Sequence, residues 1–271
     1  MPDKLYELLE YVKELRAIDF TAYRANTIRR RLERRLHATM MPDYASYYQY
    51  LKENPQEVDS LIEALTIKVS HFFRDPLVFE VLRSFVLPEV VLSHREDVLR
   101  IWCAGCARGE EAYSVAILLK EIIYKEAVYP HIFIIATDID RDAIEDAKKA
   151  VYKSEAILEV KKGYLDRYFI SEDGLYRIND EIRSMVTFAY HDVTTCRPPK
   201  EGIFSDFHLI LCRNVLIYLD RNLQERILEG FSGFLRNKGY LILGEAEIMT
   251  PQLTEDFYEV MPYVKVFRKR D

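Results

Sequence analysis

The chain has 271 residues, 49% of them apolar, with a formal net charge of −6 and four cysteines. That length suits two ordinary domains or one with an appendage, and the composition supplies a sizeable core, while no apolar run approaches the ~20 residues of a membrane span. The acidic balance argues against general nucleic-acid binding, and few cysteines, two or more in apolar strand-like runs, fit reduced thiols better than a disulfide framework.

Residues 1–75 read as a small all-α domain. The opening MPDKLYELLEYVKEL lacks the apolar core of a signal peptide, so a cytoplasmic location is expected. Leu5, Leu8, Leu9, Val12 and Leu15 recur at helical spacing. In TIRRRLERRLHATM, Ile28, Leu32 and Leu36 form one apolar stripe and arginines cover the rest. Pro42-Asp43 ends that helix, and residues 44–52 and 57–68 give two more. Seven arginines stand between Arg16 and Thr39 against only Asp19 and Glu33. Such a basic island in an acidic chain suggests an acidic partner, with Arg29, Arg30, Arg31, Arg34 and Arg35 as the contacts. DPLVFEVLRSFVLPEVV, interrupted by Pro88, reads as a connecting helix, so residues 76–97 are expected to be a linker.

From residue 98 to 271 the grammar changes. VLRIWCA (98–104), HIFIIATDID (131–140), DFHLILCRN (206–214) and GYLILGE (239–245) are strand candidates. Helical stretches at 109–123, after Arg141 and at 220–236 alternate with them. This is an α/β pattern, a doubly wound sheet with helices on both faces. A small antiparallel insertion is expected at about 160–186, and FYEVMPYVKVFRK reads as a closing hairpin turning at Pro262.

WCAGCARGEEAYS (102–114) joins the first strand to the first helix of that pattern. A Trp before Cys-x-x-Cys is also what a redox site looks like. Here the alternation around the loop is far longer than a redox domain needs, and Cys103 ends an apolar strand. No second Cys-x-x-Cys and no histidine pair completes a metal site, so none is expected. Gly105 lets the backbone approach a ligand closely, and Asp138 at the end of the second strand can accept both hydroxyls of a ribose. A dinucleotide or S-adenosylmethionine would fit that spacing. Glu110 and Glu111 are unwelcome beside a pyrophosphate and suit a cationic cofactor, which favours S-adenosylmethionine.

TIKVSHFFRD (66–75), RIWCAGCARGEEAYS (100–114), ATDID (136–140) and LCRNVLIYLD (211–220) together resemble the CheR-type chemotaxis receptor methyltransferases, over nearly the whole chain. The resemblance implies a Rossmann-like S-adenosylmethionine methyltransferase domain behind a helical receptor-recognition domain. It implies methyl transfer to glutamate carboxylates of bacterial chemoreceptors, leaving S-adenosylhomocysteine. Carried over by position, the cofactor site is Lys68, Ser70, Arg74, Gly105, Glu111, Asp138, Asp192, Val193, Arg213, Asn214 and Val215. Lys68 and Asp192 stand where the family commonly has Asn. Arg74 and Tyr218 are the expected catalytic groups, one orienting carboxylates and one offering a hydroxyl near the methyl. The partner would be the cytoplasmic helical region of a chemoreceptor, met by a monomer without membrane insertion. Relatives that tether to a receptor's C-terminal pentapeptide carry a longer loop than ISEDG (170–174), so independence of that peptide is expected. A methyltransferase for a small molecule or RNA, and a non-catalytic cofactor sensor, are the competing readings.

Overall fold

The computed structural model describes residues 4–16, 18–66, 70–94, 98–200 and 206–271. The chain divides into two compact units, residues 1–67 with 217–224, and residues 68–216 with 225–271.

The first unit contains α1 (Lys4–Arg16), α2 (Ala25–Thr39), α3 (Tyr44–Glu53) and α4 (Glu57–Leu65). Their apolar stripes, including Leu8, Val12, Ile28, Leu32, Leu51 and Leu61, are buried. The chain leaves α2 through Met40 at φ 57, and Asp43 caps α3 by accepting the Ser46 N–H at 2.8 Å. Two arginines of α2 are structural. Arg31 Nη1 donates to the carbonyls of Ala64 (3.0 Å), Leu65 (3.3 Å) and Thr66 (2.9 Å), closing the C-terminal end of α4. Arg35 reaches the buried Glu57 through Nε (2.5 Å) and Nη2 (2.6 Å), and the Tyr47 hydroxyl donates to the same carboxylate at 2.7 Å. Arg29, Arg30 and Arg34 are exposed. The 217–224 segment joins this unit by pairing Leu219 with Tyr23, and the Arg24 N–H donates to the Tyr218 carbonyl at 2.8 Å.

The second unit opens with α5 (Pro76–Val81), a π-helical turn over Leu82–Val86, and α6 (Leu87–Ser93). The expected linker over 76–97 is, in its described part, a piece of this unit's core: Val78, Phe79, Leu82, Val86, Leu87 and Val91 are all buried in its main cluster. Pro88 does not interrupt the helix as expected. It has no N–H to give the carbonyl four residues back, and the preceding π turn, with the Leu87 N–H on the Leu82 carbonyl, absorbs the mismatch.

There follow β1 (Val98–Ala104), α7 (Glu110–Glu126), β2 (His131–Asp138), α8 (Arg141–Lys149), β3 (Val151–Lys153), α9 (Lys162–Tyr168), β4 (Phe169–Glu172) and β5 (Leu175–Ile178). After them come α10 (Asp180–Arg183), β6 (Val186–Tyr190), β7 (Phe207–Cys212), α11 (Arg221–Phe234), β8 (Leu235–Leu243), β9 (Phe257–Met261) and β10 (Val266–Lys269). The main sheet has the order β6-β2-β1-β7-β8-β10-β9. Its first five strands are parallel, and β10 and β9 close it as the antiparallel C-terminal hairpin. Strand order therefore reverses between β1 and β7, and their carboxyl ends form the crevice where such folds bind ligands. The small sheet has the order β3-β5-β4. It begins at Val151, earlier than the expected 160, because three-residue β3 is too short to carry an alternation signal. Its hairpin turns on Asp173 (φ 51) and Gly174 (φ 76) alone, the tight pair that a two-residue hairpin needs.

Candidate active site at the carboxyl end of the sheet

The β1–α7 loop is built on Thr137. Its carbonyl accepts the N–H groups of Gly105 (2.8 Å) and Cys106 (2.9 Å), so the loop hangs from the end of β2. Gly105 has φ 77, and a Cβ there would lie 2.3 Å from Val215 Cγ2. The β1 loop and the post-β7 loop thus touch across the switch point, and only glycine fits between them.

Asp138 faces this loop. One oxygen accepts the Ala107 N–H (2.8 Å) and the other the Asp140 N–H (2.9 Å). Burial pushes its carboxyl up from the usual range, and those N–H groups pull it back. Asp192 sits beyond β6, the neighbour of β2, and its Oδ1 accepts the N–H (2.9 Å) and hydroxyl (2.7 Å) of Thr194. That turn presents Val193 beside it. Arg141 lies over the Tyr190 ring at 3.9 Å, and Tyr190 is the register partner of Asp138.

Arg213 is the buried cation of the site, its side chain 1% exposed. Nη1 donates to Glu111 at 2.8 Å, and Nη2 to Asp75 at 2.6 Å and to the Arg74 carbonyl at 2.9 Å. Its guanidinium ties α7 to the FFRD turn. That turn needs a tie, because Phe73 (φ 56) and Asp75 (φ 58) both occupy the left-handed region, unusual for a bulky residue. The Phe73 N–H donates to Ser114 Oγ at 3.0 Å, which secures the same turn from the other side. Arg74, held between those two residues, is half-buried.

One carboxylate here escaped the sequence reading, and a second, expected to face the cofactor, is buried instead. Glu247, buried, accepts the N–H groups of Val215 (2.9 Å), Leu216 (2.8 Å) and Gly244 (2.5 Å), and so shapes the turn in which Asn214 takes φ 60. No motif announces it; it is one more acid in GEAE. Glu110 begins α7, is 3% exposed, and has one oxygen without a partner among the described residues. Burial raises its carboxyl, while its own N–H and the Ser70 hydroxyl bond it and lower it. The GEE pattern drew attention to Glu110, but its burial was not legible.

The structure thus groups Ser70, Arg74, Gly105, Glu111, Asp138, Asp192, Val193, Arg213, Asn214 and Val215 in one unit. Lys68 lies outside the described residues, and Tyr218 belongs to the first unit. Cys103 and Cys106 are buried, and burial pushes both thiols well up, so neither is a thiolate near neutral pH. Trp102 is a core residue whose indole N–H donates to Thr137 Oγ1 at 2.9 Å. Among the described residues no cluster of three metal-ligating side chains occurs, and no helix is long and apolar enough to cross a membrane.

The residues present fit S-adenosylmethionine by their chemistry: Asp138 is a strand-end carboxylate suited to a ribose, and Glu111, in the first turn of α7, is a carboxylate suited to a cationic group. The family model for the CheR methyltransferase S-adenosylmethionine-binding domain matches residues 68–265, and that for the CheR all-alpha domain matches residues 3–66. A chemotaxis protein methyltransferase of Listeria innocua is 31% identical over 92% of this chain and 91% of its own length. Chemotaxis protein methyltransferase 2 of Vibrio cholerae is 30% identical over 96% of this chain and 88% of its own. A 104.1 kDa protein of Rhodobacter capsulatus is 34% identical over 94% of this chain, which spans only 26% of that protein.

Proposed function

Since the chain belongs to the CheR methyltransferase family and is an S-adenosylmethionine-dependent methyltransferase, we propose that its acceptors are glutamate side chains of chemoreceptors, converted to methyl esters. The observation that carries this reading is the switch point of the sheet, where the Gly105 and Val215 loops meet and Asp138 faces the first of them. Asp138 would hold the ribose, Glu111 the cationic end of the cofactor, and Asp192 with Val193 the adenine. Ser70, Asn214 and Val215 would complete the contacts, and Lys68 and Tyr218 remain sequence-based candidates. The bound cofactor supplies a methyl group already activated on sulfonium.

A glutamate carboxylate with a reference pKa of about 4.3 is ionised at neutral pH and needs no general base. The protein's task is alignment and exclusion of water. Arg74 would orient carboxylates, and Arg213 holds Arg74's backbone while spending its own charge on Glu111 and Asp75. The two-residue β4–β5 turn supports recognition of receptors without a C-terminal pentapeptide tether.

Calorimetric titration with S-adenosylhomocysteine tests the cofactor site. Asp138→Ala should weaken binding about 10- to 100-fold, as expected for losing hydrogen bonds to a charged group. No binding to folded wild type would sink the reading. Transfer of labelled methyl from S-adenosylmethionine to a receptor fragment, released as methanol by alkali, tests the acceptor. Label that survives alkali would rule out a carboxyl ester.

A further inference from the structure

The parallel strands have a second end, which the cofactor reading leaves unused. There a cavity of about 160 Å³ opens between the end of α6, the entry to β8 and β10. That is room for about five water volumes, and below the roughly 300–1,000 Å³ of pockets for organic ligands. The size selects a small ion or the end of a larger molecule.

The walls select its sign. Arg236, Lys238 and Arg268 face Glu89 as the one carboxylate of the lining among the described residues. Glu89 is already engaged by the Tyr240 hydroxyl at 2.8 Å and by Arg268. Lys238 pairs with Asp271 at 3.1 Å, but the two side chains are 61% and 74% exposed. Such a pair contributes little and opens easily.

Arg236 is in a stranger position. Among the described residues it pairs with no carboxylate, and its Nη1 rests 2.6 Å from His208 Nε2. The other ring nitrogen of His208 faces the Arg100 N–H at 3.2 Å. A neutral imidazole has one acceptor nitrogen, so one of these contacts sets donor against donor. Burial and the nearby charges of His94, Arg236 and Arg100 push His208 down to about 4, against a small opposing effect of Asp206, so the ring stays neutral beside the guanidinium. An anion that draws Arg236 off the ring removes the conflict. Ser93 and Asn237 line the same cavity and add neutral donors. A tetrahedral oxyanion with several acceptor oxygens matches a guanidinium, an ammonium and an amide better than a planar carboxylate does.

We propose that this cavity is an anion site for a phosphoryl group, either free phosphate or the phosphate of a small metabolite, gripped by Arg236 and Lys238 with Asn237 and Ser93 alongside. The test is calorimetry of the whole protein in phosphate-free buffer, titrated with inorganic phosphate, phenyl phosphate and acetate. Saturable one-site binding of a phosphate compound is expected, with acetate weaker. Arg236→Gln should weaken it about tenfold or more. Lys238→Asn should weaken it less; Asn is chosen because position 238 has φ 64, which Asn tolerates. Tighter phenyl phosphate would point to a metabolite, and tighter inorganic phosphate to the free ion. S-adenosylhomocysteine affinity should be unchanged in both variants, so the two sites are read separately. No saturable binding at millimolar phosphate, binding unaltered in both variants, or acetate binding equally well would overturn the proposal.

Discussion

At the carboxyl end of the main sheet Glu110, Glu111, Asp138 and Glu247 crowd around the two loops of the switch point, with Arg213 as the buried cation among them. At the amino end Arg236, Lys238 and Arg268 surround a buried histidine, and the lining carboxylate, Glu89, is already paired. Burial acts on both ends against charge, so it raises the carboxyls of Glu110, Asp138 and Glu247 and lowers His208. The difference lies in satisfaction. Backbone N–H groups and one arginine answer most acids at the first end, whereas the arginine at the second leans on a neutral ring. The first is an assembled crevice, and the second is arranged for a ligand that brings the negative charge.

The sharpest way to break this comparison is Arg213→Met. It leaves Glu111 and Asp75 without their cation and unties the left-handed FFRD turn. A loss of about 1.5–3 kcal/mol in urea unfolding is expected, the range for losing hydrogen bonds to charged groups, since the two carboxylates left behind are only part-buried. A change within about 0.5 kcal/mol, typical of surface positions, would show that Arg213 is no clamp.

A smaller effect separates the ends by pH. His208 is held at about 4, below its usual value of 6.5. The unfolded chain takes up the proton first, so this part of the stability is present above pH 6.5 and lost as pH falls toward 4. His208→Gln should flatten the fall of the melting temperature over that window. Glu110 is raised, so the sign reverses: its contribution is present below about 4.5, its usual value, and lost as pH rises through the folded value. Glu110→Gln should therefore gain on wild type between acid and neutral pH. Parallel pH profiles for wild type and both variants would erase the contrast.

The strands and the crevice were legible because β1, β2, β7 and β8 are apolar runs bounded by helical periodicity, and because the loop glycine and strand-end acids sit at those boundaries. The core role of residues 76–94 was not. Pro88 reads as a break, and only the π turn before it shows how the helix carries through. Nor could the sequence say that Arg213 would spend its charge inside the protein, since its three partners lie 102 to 139 positions away in the chain. Glu247 is the same case. An acid that bonds three backbone N–H groups looks, in sequence, like any solvated acid.

The arginines of α2 show the limit from the other side, because periodicity could have sorted them. Arg31 and Arg35 each follow the apolar stripe of Ile28 and Leu32 by three residues, and both turn inward to α4 and Glu57. Arg30 and Arg34, one position earlier, are exposed. The smallest expected stability change is therefore Arg30→Glu with Arg34→Glu, within about 0.5 kcal/mol. If the exposed pair steers an acidic receptor surface, the same double variant should weaken receptor binding and flatten its salt dependence, since reversed charge removes the long-range attraction. Arg35→Met should do the opposite. It should cost about 1.5–3 kcal/mol of stability by stripping a buried carboxylate of its charged donor, and leave the salt dependence as it was. Unaltered receptor affinity in the double-Glu variant would leave the exposed arginines as a solvated helix face, and the receptor contact would have to be sought elsewhere.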